Sequence, residues 1–193
     1  MAKSTVPLPF KPNFFHEYSV VLEHPISQVF PILGTAEGHE RVCRLSGLCA
    51  QFDLLEKDLV AIPQSSTLPE LHVRTLPAAV EDEGDSRKLP RQFFTMTESV
   101  PILWGLYHSQ VHLSGTLTWD EAGKVTLYET NSDSGIDVWK LREFAEVEGG
   151  KTRVTERIQG SCPWILKSIV QKEAAKGHSY VPLSDSSMHF SDS

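Results

Sequence analysis

Two glutamates, Glu143 and Glu156, are the residues of this chain whose type and spacing could most directly support chemistry. They lie in alternating runs on either side of Gly149-Gly150. A Gly-Gly pair between such runs is typical of a two-residue β-hairpin loop, because these turns require positive φ. A loop of that length places Glu143 directly opposite Glu156, where like charges repel and burial of both is unfavourable. The sequence therefore leaves four alternatives: a hollow face lined by water or ligand, a protonated carboxyl, a neutralising cation from elsewhere, or a solvated pair at an open end of the sheet.

The same register predicts which face of the hairpin is buried. Side chains alternate between the two faces of a strand, so apolar and charged residues separate. The face predicted to be buried carries both glutamates together with Trp139, Leu141, Ala145, Val147, Val154 and Ile158. The face predicted to meet solvent carries Phe144 as its single apolar member, together with Lys140, Arg142, Glu146, Arg153, Thr155, Arg157 and Gln159.

Glu129 adds a third carboxylate, on the apolar face of the preceding predicted strand, beside Val125 and Leu127. Carboxylates on apolar faces of neighbouring strands are suited to general acid or base catalysis, because burial and mutual repulsion adjust their protonation. We therefore take Glu129, Glu143 and Glu156 as candidate catalytic residues.

No metal or cofactor motif accompanies these carboxylates. His108 and His112 would share one face of a helix, but the local alternation predicts a strand, on which they lie about 13 Å apart and face away from the apolar residues. Cys43, Cys49 and Cys162 lack the spacing of a metal or redox motif. No P-loop, Rossmann or catalytic-serine motif occurs. The sequence thus predicts neither a metal site nor a bound cofactor.

Length, charge and cysteine content narrow the class of protein. A chain of 193 residues fits one domain with a sizeable core. The net charge of −7 disfavours a nucleic-acid or anionic-membrane partner. No apolar run approaches the ~18 residues of a membrane span, and the N-terminus is not a signal peptide. The odd number of cysteines indicates a reducing compartment, so a cytoplasmic location without an integral membrane segment is expected.

The predicted elements are a strand, two short helices, a run of antiparallel strands and a long final helix. The first strand covers HEYSVVLEH, and the helices ISQVF and AEGHERVCRLS are separated at Gly34-Thr35. An exposed loop is predicted over residues 77–90. Candidate strands lie at Ala50–Leu55, Leu59–Ile62, Leu71–Leu76, Arg91–Glu98, Leu106–Trp119 and Lys124–Asn131. The final helix has an apolar stripe that is predicted to pack on the sheet, formed by Trp164, Ile165, Leu166, Ile169 and Val170.

This order, with the segments HEYSVVLEHPISQVFPIL and SCPWILKSIVQKEAAKGHS, resembles the START/Bet v 1-like (SRPBCC, helix-grip) superfamily, and the chain is similar to uncharacterised fungal members. The resemblance covers residues 14–180 as a single domain, between an N-terminal arm of residues 1–13 and a flexible tail of residues 181–193. It implies an α+β fold in which a curved antiparallel sheet, with two short helices after its first strand, wraps around the C-terminal helix and encloses a hydrophobic cavity. There is one strand candidate more than this fold usually has, which implies that one segment between residues 50 and 76 is irregular.

The resemblance also implies a hydrophobic small-molecule ligand, since members bind lipids, sterols or polyketides and some catalyse cyclisation or dehydration. Two functions are open: a cofactor-free cyclase, isomerase or dehydratase acting on a polyketide- or terpenoid-like natural-product intermediate, and a carrier or sensor that does no chemistry. A protein-interaction module is a third possibility. The carboxylates favour the enzyme, and we expect a monomer or homodimer. Ligand contacts are expected from Tyr107, Val111, Leu113, Trp139, Leu141, Ile158, Ile165 and Ile169.

Overall fold

The computed structural model describes residues 8–80, 85–102, 107–167 and 171, without the side chains at positions 101, 102 and 107. These residues form one seven-stranded antiparallel sheet and two helices. The strand order across the sheet is β1-β7-β6-β5-β4-β3-β2, so the first strand returns beside the last. The strands are β1 (Phe14–Leu22), β2 (Cys49–Pro63), β3 (Ser86–Ile102), β4 (Tyr107–Asp120), β5 (Val125–Ser132), β6 (Asp137–Val147) and β7 (Lys151–Ser161). The helices are α1 (Ile26–Leu33) and α2 (Ala36–Arg44), and 3₁₀ turns cover Leu68–Glu70 and Trp164–Leu166.

The two helices follow β1 as predicted and are separated at Gly34-Thr35. The Oγ1 of Thr35 caps α2, because it accepts a hydrogen bond from the Gly38 N–H (3.5 Å) and donates one to the Pro31 carbonyl (2.7 Å). At Gly38 the helices approach so closely that an added Cβ would lie 2.0 Å from the carbonyl oxygen of Ile32. Glycine at this position therefore allows α2 to begin directly against the end of α1.

Strand β2 joins two segments that the sequence predicts as separate strands. Ala50–Leu55 and Leu59–Ile62 both belong to it, with a shift of pairing between them. The segment Leu71–Leu76 is not a strand, which agrees with the expectation that one segment in this region is irregular. Strand β3 begins at Ser86, inside the loop predicted over residues 77–90.

The hairpin of β6 and β7 has a register that differs by one residue from the predicted one. Val147 pairs with Lys151, so the loop spans residues 148–150 and has three residues instead of two. Both of its glycines adopt positive φ, at 82° and 70°. A shift of one residue moves all the side chains of a strand to the other face relative to its partner. The predicted opposition of Glu143 and Glu156 is therefore wrong, and these side chains lie on opposite faces of the sheet.

Charge and packing both favour the observed register. Glu156 lies opposite Arg142 instead of Glu143, so a pair of opposite charges replaces a pair of like charges. Phe144, the apolar exception on the face predicted to be polar, lies opposite Val154, and both side chains are buried. The face of β6 that the sequence assigns to solvent is thus a buried face.

Both faces of the sheet are covered, whereas alternation in the sequence predicts a single buried face. One face packs against α1 and α2, and we call it the helix face. Its core contains Leu22, Val29, Phe30, Ala36, Phe52, Phe94, Met96, Leu117, Trp119, Tyr128, Phe144 and Val154. The opposite face, the strap face, is covered by the β2–β3 connection, residues 64–80, which we call the strap, and by Leu8 and Phe10. Its core contains Val60, Ile62, Leu68, Val73, Leu89, Leu127, Trp139 and Leu141.

The predicted final helix lies largely outside the described residues. Its described beginning is the 3₁₀ turn Trp164–Leu166, in which Trp164 is 85% exposed and Ile165 is 67% exposed. The prediction that Ile165 packs on the sheet is therefore wrong, and Ile169 falls outside the described ranges. Within those ranges, no helix is both long enough and apolar enough to cross a membrane.

Candidate functional site

Glu129 is buried on the strap face, where it holds the strap against the sheet. The residue is 2% exposed. Its carboxylate accepts backbone hydrogen bonds from Val73 (3.1 Å) and Arg74 (2.8 Å), and a third hydrogen bond joins it to Nδ1 of His72. Both carboxylate oxygens are thus bound to the strap, and neither faces the helix side of the sheet.

Two predicted ligand contacts, Trp139 and Leu141, also belong to the strap-face core. The indole Nε1 of Trp139 donates a hydrogen bond to the Leu71 carbonyl (3.0 Å), and Leu141 is 0% exposed. The Arg91 guanidinium donates to the carbonyls of Val73 (2.7 Å) and Leu76 (2.9 Å). Strands β3, β5 and β6 therefore each contribute one polar anchor for the strap.

Glu143 lies on the strap face nearer to solvent. A carboxylate oxygen accepts a hydrogen bond from Nη2 of Arg157 at 2.6 Å, and the side chains of the two residues are 38% and 43% exposed respectively. Exposed pairs of this kind contribute roughly 0–1 kcal/mol to stability. Glu143 and Arg157 therefore form an ion pair at the surface.

Glu156 is the one member of the predicted catalytic trio that lies on the helix face. The Nη2 of Arg142 donates to both of its carboxylate oxygens, at 3.0 and 3.4 Å, and Nη1 of the same arginine donates to the Leu33 carbonyl at the end of α1. Tyr18 of β1 lies opposite Glu156 in register. The three carboxylates therefore do not form a shared site, and the predicted acid–base pair of Glu143 and Glu156 is absent.

Lys140 and Arg142 are helix-face residues that the sequence analysis assigns to solvent. Lys140 lies in a cross-strand row in which His16 pairs with Ile158, Ile158 with Lys140, and Lys140 with Tyr128. The Lys140 ammonium stands 4.5 Å from the centroid of the Tyr128 ring. Phe144 could have indicated that these residues lie on a buried face, because it is apolar and points to the same face of β6.

An imidazole and three aromatic rings fill the helix face next to this row. The His39 ring centroid lies 5.1 Å from that of Tyr128, 6.0 Å from that of Phe52 and 6.1 Å from that of Phe94. Burial lowers the pKa of His39 well below its ordinary value, and the nearby cations of β6 lower it further, so the imidazole is neutral at pH 7. Burial likewise raises the pKa of Tyr128 well above its ordinary value, so the phenol keeps its proton.

Cys43 lies against His39, with its Sγ 3.4 Å from Nε2 of the imidazole. Burial raises the pKa of the Cys43 thiol to about 11. Because the thiolate is the nucleophilic form of cysteine, a neutral thiol beside a neutral imidazole is not an activated nucleophile. The pair contributes to packing under α2.

The remaining predicted ligand contacts divide between the helix face and the part of the chain that is not described. Val111, Leu113 and Ile158 lie on the helix face, where each is partly buried. Val138, which the sequence analysis did not single out, is a partly buried apolar neighbour on the same face. The side chain of Tyr107, like Ile169, lies outside the described set.

An open groove of about 520 Å³ lies on the polar part of the strap face, next to Arg74. Its lining includes His112, which is exposed as predicted, as is His108. The Oγ1 of Thr97 and Nδ1 of His112 are hydrogen-bonded at 3.0 Å. The groove has mostly polar walls, formed by Gln51, Asp53, Thr95, Met96, Thr97, His112, Leu113, Ser114, Asn131, Ser132 and Asp133.

The described residues thus define an α+β protein whose strand, two helices and six further strands occur in the order of the helix-grip class. No protein-family model matches the sequence, and no curated protein matches it.

Solved structures match the chain at low sequence identity. The aromatase/cyclase Zhui from Streptomyces sp. R1128 matches with a TM-score of 0.49 and 11% identity, over 78% of this chain and 68% of that chain. A START superfamily protein from Mycobacterium smegmatis matches with a TM-score of 0.48 and 8% identity, over 86% of this chain and 91% of that chain. A protein from Thermus thermophilus, TTHA0849, matches with a TM-score of 0.45 and 14% identity, over 85% and 86% of the two chains. Similarity to fungal members stays a prediction.

Proposed function

We propose that this protein binds an apolar small molecule on the helix face of its sheet. The observation that carries the proposal is a difference in side-chain burial along this face. Phe52 and Phe94 are closely packed at 0% and 1% exposure, whereas Val138 and Ile158 are only partly buried and lie beside fixed polar side chains. Apolar walls with a few positioned polar groups are the usual character of a small-molecule site.

Binding without chemistry is the function that the placement of the carboxylates favours. Glu129 is occupied by the strap, and Glu143 by Arg157 at the surface. The paired carboxylates that favoured an enzyme in the sequence analysis therefore no longer support one. A carrier or sensor of a hydrophobic ligand is the simpler proposal.

A cofactor-free cyclase, isomerase or dehydratase acting on a polyketide- or terpenoid-like intermediate is the second candidate. It is favoured by Glu156, a carboxylate on the helix face that Arg142 holds through both oxygens. A fixed carboxylate next to a ligand could act as a general base. Native mass spectrometry of protein purified from its own host separates the candidates, because a carrier retains its ligand whereas an enzyme releases its product.

Titration with the neutral, apolar dye N-phenyl-naphthylamine (NPN), whose fluorescence rises in apolar surroundings, tests the binding proposal. The Ile158→Asn variant is expected to weaken NPN binding by about 1–2 kcal/mol, or roughly five- to thirtyfold, because it removes part of the apolar wall. Val21→Asn is the matched control, since Val21 is 42% exposed and lies on the strap side of β1. NPN binding that is absent, or equal in the two variants, would overturn the proposed site.

A cytoplasmic location, a monomeric or homodimeric state and the lack of a nucleic-acid partner remain predictions of the sequence. They do not enter the proposal, which depends on the helix face alone.

A further inference from the structure

Lys140 is a partly buried cation on the helix face, and no carboxylate in the described part of the chain forms an ion pair with it. Its ammonium group stands over the Tyr128 ring, 4.5 Å from the centroid. The next cation on the same face of β6, Arg142, is fully engaged, since it binds Glu156 and the Leu33 carbonyl. Arg142 is therefore bound to a carboxylate and a carbonyl, whereas Lys140 stands over an aromatic ring.

None of the ion pairs between described residues joins a helix-face carboxylate to Lys140. Glu156 is held by Arg142 through both oxygens, at 3.0 and 3.4 Å. Glu98 belongs to β3, which is separated from β6 by β4 and β5. An ammonium that loses water without gaining an anion is unfavourable, so an anion from outside the chain would fit here.

The buried imidazole of His39 reports the same excess of positive charge. After burial, the largest contributions that lower its pKa come from Lys140 and then Arg142, and the opposing contribution of Glu156 is smaller than either. At His39 the neighbouring charges are therefore positive on balance, although the chain as a whole carries a net charge of −7.

Lys57 is a second lysine on the helix face and serves as a comparison for Lys140. It lies at the other end of the row that contains Lys140, because the pairing continues from Tyr128 through Leu117 and Gln92 to Lys57. Its ammonium also stands over an aromatic ring, 4.9 Å from the centroid of Trp119. Lys57 is exposed, so water satisfies its charge, whereas Lys140 is partly withdrawn from water.

We infer that Lys140 binds the anionic oxygen group of the ligand, which makes the ligand class an apolar acid. The apolar body of the molecule would lie against Ile158 and Val138, and a carboxylate or comparable oxyanion would meet the ammonium beside Tyr128. This inference rests on the function proposed above and adds the chemical class of the ligand to it.

Two dyes that differ in one acidic group test the inference. NPN is neutral, whereas anilinonaphthalene sulfonate (ANS) has the same aromatic body with a sulfonate added. Both are titrated by fluorescence into the wild-type protein and into Lys140→Met, Lys140→Arg and Lys57→Met. Methionine keeps the length and the apolar stem of lysine and removes the charge, and thermal unfolding verifies that each variant is folded.

The expected result is selective for the anionic dye and for one lysine. Lys140→Met weakens ANS binding by at least about tenfold, since a charged hydrogen-bonding contact is lost. The same variant weakens NPN binding much less than ANS binding, Lys140→Arg retains ANS binding, and Lys57→Met changes ANS binding by less than about twofold.

The other outcomes separate the inference from the function on which it rests. If the protein binds NPN but Lys140→Met binds ANS as tightly as the wild type does, the acidic ligand class is overturned and the binding site stays in place. ANS binding that falls equally in Lys140→Met and Lys57→Met shows a general effect of net charge and also overturns the inference. A wild-type protein that binds neither dye overturns the proposed function, and the inference with it.

Discussion

Replacement of Glu129 by leucine is expected to destabilise the fold through the strap. The carboxylate is buried and accepts hydrogen bonds from the backbone N–H groups of Val73 (3.1 Å) and Arg74 (2.8 Å). Leucine has a similar size but cannot accept, so both amides lose their partner. Each buried group left without a partner costs about 1–3 kcal/mol, which gives about 2–6 kcal/mol for the two. Because domains are stable by only about 5–15 kcal/mol, the loss is a large fraction of the total.

Two further variants separate hydrogen bonding from charge and from size. Glu129→Gln keeps an oxygen acceptor for the two amides, so its loss is expected to be smaller, about 1–2 kcal/mol. Glu143→Leu is the matched control, because it makes the same replacement on the same face of the sheet. The side chains of Glu143 and Arg157 are 38% and 43% exposed, so this pair is expected to contribute less than about 1 kcal/mol.

Urea unfolding followed by far-ultraviolet circular dichroism measures these differences, with the slope against urea compared between variants. The order of stability is expected to be wild type, then Glu143→Leu, then Glu129→Gln, with Glu129→Leu the least stable. Equal losses for the two leucine variants, or a loss below about 1 kcal/mol for Glu129→Leu, would refute the role of Glu129 as the clamp of the strap.

Two other predictions concern the helices. Gly38→Ala is expected to lower the free energy of unfolding by about 1–3 kcal/mol, because its Cβ would meet the Ile32 carbonyl oxygen at 2.0 Å. Gly47→Ala, whose Cβ would meet nothing within 4 Å, is expected to be neutral in the same urea assay, and equal effects would contradict the argument. The second prediction concerns His39, whose folded-state pKa lies below its unfolded value. The unfolded state therefore binds the proton first, so stability falls as pH drops below about 6.5, by up to about 1.4 kcal/mol per pH unit. His39→Phe is expected to reduce that slope, and an unchanged slope in urea titrations at several pH values would contradict it.

The order of elements could be predicted from the sequence because local chemistry specifies it. Thr35 caps the second helix, and the alternation of β4 to β7 is strong enough to identify strands without knowledge of their partners. Such signals depend on neighbours in sequence, which explains why they survive in the folded protein.

The register of the last hairpin could not be predicted from its glycines. Gly149-Gly150 fits a two-residue loop and also the end of a three-residue loop, since both place glycine at positive φ. Cross-strand charge decides between them, because only the longer loop brings Glu156 opposite Arg142. The error mattered for the site, since a shift of one residue reversed the faces of the carboxylates and the lysine.

The second buried face also lacked a signal in the sequence. The strap contributes Leu68, Leu71 and Val73 at irregular spacing, so it has no period by which a strand or helix face is found. The partners of Glu129 include two backbone amides, which no residue type marks in advance. A buried carboxylate that is bound by backbone amides therefore resembles a catalytic residue when only its own strand is considered.

The two faces of the sheet are linked through the strands that they share. On β5, Tyr128 faces the helices while Leu127 and Glu129 face the strap, and on β6 Lys140 lies between Trp139 and Leu141. The strap therefore fixes from behind the strands that carry the proposed ligand site, and a site on such strands is held in place before the ligand arrives. Glu129→Leu should thus alter stability more than dye affinity per folded molecule, whereas Lys140→Met should alter affinity for ANS with little change in stability. The free energy of unfolding and the affinity for ANS are measured in both variants. If each variant loses both stability and affinity, stability and binding do not depend on different faces of the sheet.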